Sequence, residues 1–243
     1  PCDRWNFDGR IYGKFKEKLH SQTLLPMIDE VIRMLEIELD TIDAIAVSGG
    51  PGLLQDCASD LLRPRGWGLA MKKPLIHVPT VDAMAYNLYG TDALICPIMD
   101  ARRNQVYTGL YHFREEFEIV KEQQPADIKE LVEELNGRGE RVIFLGDGVP
   151  PYQAVIEELI KVPHRFAPAH VNRQRAASVA ALGSVYLAEG KTETAMEHKP
   201  DYLRKSQAER ERELAERQGE LDKLAAGIQV VEKAGVGRNI ARI

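Results

Sequence analysis

Short apolar runs alternate with stretches of helical periodicity from about residue 7 to residue 190. That alternation restricts the chain to an α/β fold with mixed sheets. Ile42–Val47, Leu75–Val78, Ala93–Met99 and Arg141–Leu145 are too brief to be helices and read as buried strands. The first feeds Ser48-Gly49-Gly50-Pro51-Gly52, and the second is closed by Pro79. Leu24, Leu25, Ile28, Val31, Ile32 and Leu35 recur at helical spacing, which predicts an amphipathic helix over about Ser21–Leu39. Pro26 falls in its first turn, where a missing N–H costs little, and Ser21 and Thr23 are N-cap candidates. Further helices are predicted over Val81–Tyr89 (C-capped by Gly90), Ile128–Leu135, Tyr152–Ile160 and Arg175–Glu189 (closed by Gly190). Val106–Phe113 is rich in β-formers, and Asp100–Asn104 joins it to the preceding strand as a hairpin. Phe7–Tyr12 carries an Asp-Gly turn. Hairpin, helix and strand therefore follow one another twice, around 7–90 and 93–190, without a sequence repeat.

Composition narrows the function classes. Lys and Arg total 32 against 37 Asp and Glu, a net charge of −5, so the chain is a poor candidate for gripping a nucleic-acid backbone by itself. No apolar run reaches the roughly 18 residues of a membrane span, so no membrane association is expected. Cys2, Cys57 and Cys96 lie far apart, neither a disulfide framework nor a metal knuckle, and Pro1–Arg4 has no signal-peptide pattern. These features lead us to expect a cytoplasmic protein. From Arg204 onward, nine basic and seven acidic residues suggest a solvated helix over Lys205–Lys223, followed by a frayed tail.

The chemistry-bearing motifs are sparse. Ser48–Gly52 follows a strand, as phosphate loops do, but lacks the Lys-Ser/Thr end of a Walker loop and reads better as a tight turn. Gly146-Asp147-Gly148 lies between a strand and a helix, so Gly146 and Gly148 are the candidates for cofactor contact, with a simple turn as the plainer reading. His20-Ser21 reads as a helix start rather than a nucleophilic pair. His77, His112, His164, His170 and His198 show no metal-ligand spacing, and His77, in an apolar strand, reads as a satisfied core residue. Asp100, Arg102 and Arg103 read as an exposed charged turn. We expect no catalytic residue, no cofactor and no metal ligand.

Four segments carry a family resemblance: His20–Ile28, Asp43–Gly52, Pro97–Tyr107 and Pro200–Arg204. In this order and at these distances they resemble the TsaB (YeaZ) family over roughly Phe7–Arg212. The resemblance implies two ribonuclease H-like lobes of the actin-like/sugar-kinase ATPase superfamily, with an incomplete first lobe. We expect the lobes at 1–92 and 93–206 and an extension at 207–243. It also implies a role as the non-catalytic dimerisation subunit of the bacterial complex that makes threonylcarbamoyladenosine beside the anticodon of tRNA. The implied partners are TsaD, bound as a heterodimer, and the ATPase TsaE. The tRNA is reached only through the complex, and a homodimer forms when the chain is alone. By the same resemblance, Leu24, Leu25, Ile28, Val31, Ile32 and Leu35 face the partner. The alternative is an enzyme, a small-molecule kinase or a glycoprotease-related peptidase; TsaD-like enzymes carry His-x-x-x-His, a spacing that none of the six His here shows.

Two segments depart from the family. The opening strand ending Asp-Thr-Ser is missing, and Gly52 is followed by Leu53–Trp67 in place of Ser-Phe-Thr-Gly-Leu-Arg-Ile-Gly. With free codon choice, Gln55–Trp67 read two bases later becomes Gly-Leu-Arg-Ile-Gly-Ser-Ala-Thr-Ala-Lys-Gly-Leu. Pro1–Phe7 read one base later becomes Pro-Val-Thr-Val-Gly-Ile. We therefore expect both segments to be frame-shifted, with Pro64 breaking any helix across the second, and the first lobe and its pairing with TsaD to be weakened.

Overall fold

The apolar runs pair into two sheets in the computed structural model, which describes residues 20–51, 65–201 and 203. The chain divides into two compact units, Pro1–Leu203 and Arg204–Ile243. All described residues lie in the first; the expected Phe7–Tyr12 turn, the charged helix, the tail and most of the two departing segments lie outside them. No helix among the described residues is long and apolar enough to cross a membrane.

The smaller sheet pairs β1 (Ile45–Ser48) with β2 (Leu75–Val78) in parallel, Ile45 opposite Leu75 and Ser48 opposite Val78. Because strand side chains alternate, Ile76 and Val78 share one face, where Leu182 and Tyr186 of α6 (Ala176–Ala188) complete a small core. Gly183 makes this approach possible: a Cβ there would stand 2.7 Å from the Cβ of Ala46. Leu75 and His77 project to the other face. There Leu75 meets Gly68, in a helix whose described part (α2) is 65–71, and Glu193 pairs with Leu75 as an isolated antiparallel bridge.

The larger sheet has the order β5-β4-β3-β6-β7. Its strands are β3 (Leu94–Asp100), β4 (Gln105–Phe113), β5 (Phe117–Asp127), β6 (Val142–Leu145) and β7 (His164–Phe166). β3, β4 and β5 form an antiparallel meander; β6 and β7 continue from β3 in parallel. Leu94, Cys96 and Ile98 of β3 face the core under α4 (Ile128–Arg138) and α5 (Val149–Leu159). Ile95 faces the opposite side, with Val81 and Met84 of α3 (Thr80–Ala85), Tyr111 and Leu145. Asp127 caps α4 by accepting from the Lys129 N–H at 2.8 Å, and Gly139, at φ 72°, ends it.

Three expectations change. The first helix, α1, spans His20–Met34 and not Ser21–Leu39: Glu36 takes a left-handed φ of 51°, and Leu39–Thr41 forms a separate 3-10 turn. Leu35 thus lies beyond the helix end. The Val81–Tyr89 helix is α-helical only to Ala85 and tightens to a 3-10 turn at Tyr86–Leu88. β5 and β7 have no counterpart in the periodicity. β5 is an edge strand carrying Glu118, Lys121, Glu122 and Pro125, and edges tolerate charge and proline because one side has no ladder.

Candidate functional site

The end of β2 and the start of α3, together with β5 and the segment after α6, enclose a cavity of about 550 Å³. Its polar lining includes Asp82, Glu122, Glu193 and Asp201 against Lys191 and His77. Four carboxylates against one ammonium make it a place for cations, and an unfavourable one for phosphate.

The glycine loop shapes one wall. Gly50 has φ 112°, the left-handed conformation that a tight turn asks of glycine. The Gly49 N–H donates to the Val78 carbonyl at 2.8 Å, and the Thr80 N–H donates to the Gly50 carbonyl at 2.7 Å. The Gly49 amide is therefore spent on β2 and not free for a phosphate. Instead the His77 ring lies against Gly49, where any Cβ would collide with it. Asp201 closes the same corner: its N–H donates to the Gly49 carbonyl at 2.7 Å.

His77 is not the satisfied core histidine its apolar strand suggests. Its Nε2 meets Asp201 Oδ2 at 2.9 Å, and Asp201 also accepts from Gln123 Nε2 at 2.7 Å. Its Nδ1 is buried with no hydrogen-bond partner among the described residues. Burial pushes the His77 pKa down, but the hydrogen bond and charge of Asp201, with Glu193 and Asp82 behind, outweigh it and leave the pKa raised. His198, fully buried, stands beside it with ring centroids 5.5 Å apart. Its Nδ1 meets Glu193 Oε2 at 3.0 Å, and its Nε2 is likewise without a partner. The backbone holds it in place: the His198 N–H donates to the Thr194 carbonyl, and the Arg65 guanidinium donates to the His198 carbonyl.

Asp82, on α3, lies at the inner end of the cavity and is only 3% exposed. It accepts from the Tyr111 hydroxyl of β4 at 2.6 Å and from the Tyr186 hydroxyl of α6 at 3.3 Å. Burial raises its pKa to about 6, the two tyrosine bonds holding it from rising further. The buried carboxylate also pushes both tyrosines up, in addition to their own burial.

The sequence-predicted residues lie elsewhere. Gly146 and Gly148 form the turn from β6 into α5, pressed on the end of β3. The Gly146 N–H donates to Asn172 Oδ1 at 2.6 Å and the Gly148 N–H to the Ile98 carbonyl at 3.0 Å, while a Cβ at Gly146 would strike that carbonyl. Asp100 is bound into its hairpin by the Arg102 N–H at 2.8 Å and the Tyr152 hydroxyl at 3.1 Å. On α1, Leu24 and Leu25 are 38% and 45% exposed, Ile28, Val31 and Ile32 are half-buried, and Leu35 is half-buried in the following turn. Sequence spacing missed the grouping of His77, Glu193 and His198, since it depends on the segment after α6 returning to β2, where Glu193 bridges to Leu75.

Comparison with known proteins bears on this geometry. Residues 11–212 match the family described as TsaD, tRNA N6-adenosine threonylcarbamoyltransferase. The tRNA threonylcarbamoyladenosine biosynthesis protein TsaB of Bacillus subtilis is 28% identical over 201 residues, 82% of this chain and 85% of that protein. TsaB of Escherichia coli is 26% identical over 217 residues, 84% of this chain and 89% of that protein. Among solved structures, a Pseudomonas aeruginosa protein with similarity to peptidase YEAZ superposes with a TM-score of 0.66 at 23% identity, covering 77% of this chain and 85% of that one. The shared fold is the α/β, ribonuclease H-like architecture of the actin-like superfamily, as expected from the sequence.

Proposed function

Because the chain belongs to the TsaB (YeaZ) branch of the tRNA N6-adenosine threonylcarbamoyltransferase family, we propose that it serves threonylcarbamoyladenosine formation in tRNA as a non-catalytic scaffold. It binds TsaD through α1, with TsaE joining the assembly, and reaches tRNA only through that complex in the cytoplasm. Alone, it pairs with a second copy through the same face.

The observation that carries this reading is the apolar stripe of α1. Leu24, Leu25 and Met34 keep 38%, 45% and 69% of their surface in water, and among the described elements none packs broadly on this helix. Covering each exposed portion stabilises a complex by on the order of 1 kcal/mol. The cavity adds support from the other side. Its carboxylates oppose a nucleotide phosphate, and Gly146 and Gly148, the candidates for adenosine contact, spend their N–H groups on the protein itself.

Two measurements test the proposal. The full chain is expected to capture TsaD in a pull-down and to restore threonylcarbamoyladenosine in cells depleted of TsaB. Leu25→Glu, at an exposed position, should leave folding intact and weaken TsaD capture at least tenfold. A chain that neither captures TsaD nor restores the nucleoside, or a Leu25→Glu variant that binds as the parent does, overturns the reading.

A further inference from the structure

Independently of any partner, we propose that the cavity bounded by α3, β5 and the segment after α6 binds a small organic cation, an alkylammonium with an apolar stem. Asp82, at its inner end, carries the site. This carboxylate is 3% exposed and is held by the Tyr111 and Tyr186 hydroxyls, with no ion pair among the described residues. A buried carboxylate that meets only neutral donors keeps its charge uncompensated. Glu122, Glu193 and Asp201 of the same lining add to that charge. The four carboxylates outnumber the cations Lys191 and His77 even when His77 is protonated.

The lining has more to accept with than to donate. Asp201 already accepts from His77 Nε2 at 2.9 Å and from Gln123 Nε2 at 2.7 Å, and Glu193 accepts from His198 Nδ1 at 3.0 Å. An ionised carboxylate has about four lone-pair sites, so each can take a further donor while keeping these bonds. Gln123, with its amide nitrogen given to Asp201, keeps a buried Oε1 without a partner among the described residues. A ligand that only donates matches such a lining. An ammonium is that group, with N–H donors and no acceptor, whereas a phosphate or carboxylate ligand brings more acceptors and more negative charge.

An ammonium of the chain itself already sits on this wall. Lys191 Nζ lies over the Tyr186 ring, 4.6 Å from its centroid, and meets Glu189 Oε2 at 2.7 Å. An aromatic face with a carboxylate beside it is the arrangement that attracts an alkylammonium. Pro79, Ile119 and Leu203 give the same lining apolar surface, and Ile119 is 41% exposed. They cover an alkyl stem while its ammonium meets the carboxylates. At about 550 Å³ the cavity has the usual size of a small-ligand site and admits a stem of several carbons.

Titration of the full chain with n-butylammonium and with putrescine, in phosphate buffer so that no buffer amine competes, tests the site by calorimetry and ligand-observed NMR. The expected result is saturable binding of one molecule per chain, with butanol and butyrate, which share the stem but not the positive charge, failing to compete. Asp82→Asn and Glu122→Gln should each weaken binding roughly tenfold, the effect of losing one charged hydrogen-bond partner. Asp82→Asn should do so without destabilising the fold, which separates lost binding from lost structure. Glu133→Gln, exposed on α4 outside the cavity, removes the same charge and should leave binding unchanged. Binding by the parent should strengthen from pH 5.5 to 7.5, because Asp82 ionises through about 6 and His77 gives up its proton, and both changes make the cavity more negative. No saturable binding by the parent, binding that Asp82→Asn leaves unchanged, or a Glu133→Gln variant that binds as weakly as Glu122→Gln, overturns the proposal.

Discussion

Replacing Asp82 with Asn should stabilise the protein at neutral pH, although it weakens two hydrogen bonds to tyrosine. Asp82 is 3% exposed, and its pKa stands at about 6 against an ordinary 3.8. The cause is mainly burial, which penalises the charged form. A carboxylate with a raised pKa holds its proton more tightly in the folded state than in the unfolded state. Its contribution to stability is therefore fully present below about pH 4 and is lost as pH rises through 6. A difference of about 2 pKa units corresponds to roughly 3 kcal/mol. Asn has the same size and cannot titrate, and its carbonyl oxygen still accepts from Tyr111. Near pH 4, where the native Asp82 is neutral, parent and Asp82→Asn should be close in stability. By pH 7 the variant should be the more stable by up to about 3 kcal/mol. Urea unfolding of both chains between pH 4 and 7.5, followed by circular dichroism, measures the difference. Taking the difference cancels carboxylates of opposite sign such as Glu134, whose bonds to Lys121 and Arg138 depress its pKa despite partial burial. Parallel stability curves for the two chains, or a variant that loses ground as pH rises, would refute the assignment of an ionised, buried Asp82.

Other consequences follow from single contacts. Gly49→Ala puts a methyl group into the His77 ring, so it should break the His77–Asp201 bond and cost roughly 1–3 kcal/mol in urea unfolding; unchanged stability contradicts this close packing. Gly183→Val forces α6 away from β1 at Ala46 and should cost roughly 1–3 kcal/mol in urea unfolding. In the β3–β4 hairpin, Arg102, Arg103 and Asn104 all have positive φ, so Arg103→Gly should gain about 0.5–1 kcal/mol, visible as a higher thermal midpoint.

Much of the fold was legible because its signals are local. Apolar runs located β1, β2, β3 and β6, β-formers located β4, and 3.6-residue periodicity located α1, α4, α5 and α6 to within a few residues. The misses share a cause. β5 carries charges and a proline that only its edge position makes tolerable, and that position depends on pairing with β4. α1 ends early because Glu36 turns left-handed, a choice that the apolar stripe running on to Leu39 conceals.

Sequence by itself determined the alternation of strand and helix, the absence of His-x-x-x-His spacing, the modest acidity and the family. All of these depend on residue type and short-range order along the chain. Only the tertiary structure decided what the titratable groups do. Asp82 becomes a buried carboxylate because β4 and α6 bring Tyr111 and Tyr186 to it. His77 and His198, far apart along the chain, become neighbours because the segment after α6 returns to pair with β2 at Leu75. Their buried nitrogens, without a hydrogen-bond partner among the described residues, depend on desolvation and on which carboxylate each ring meets. No spacing along the chain encodes that.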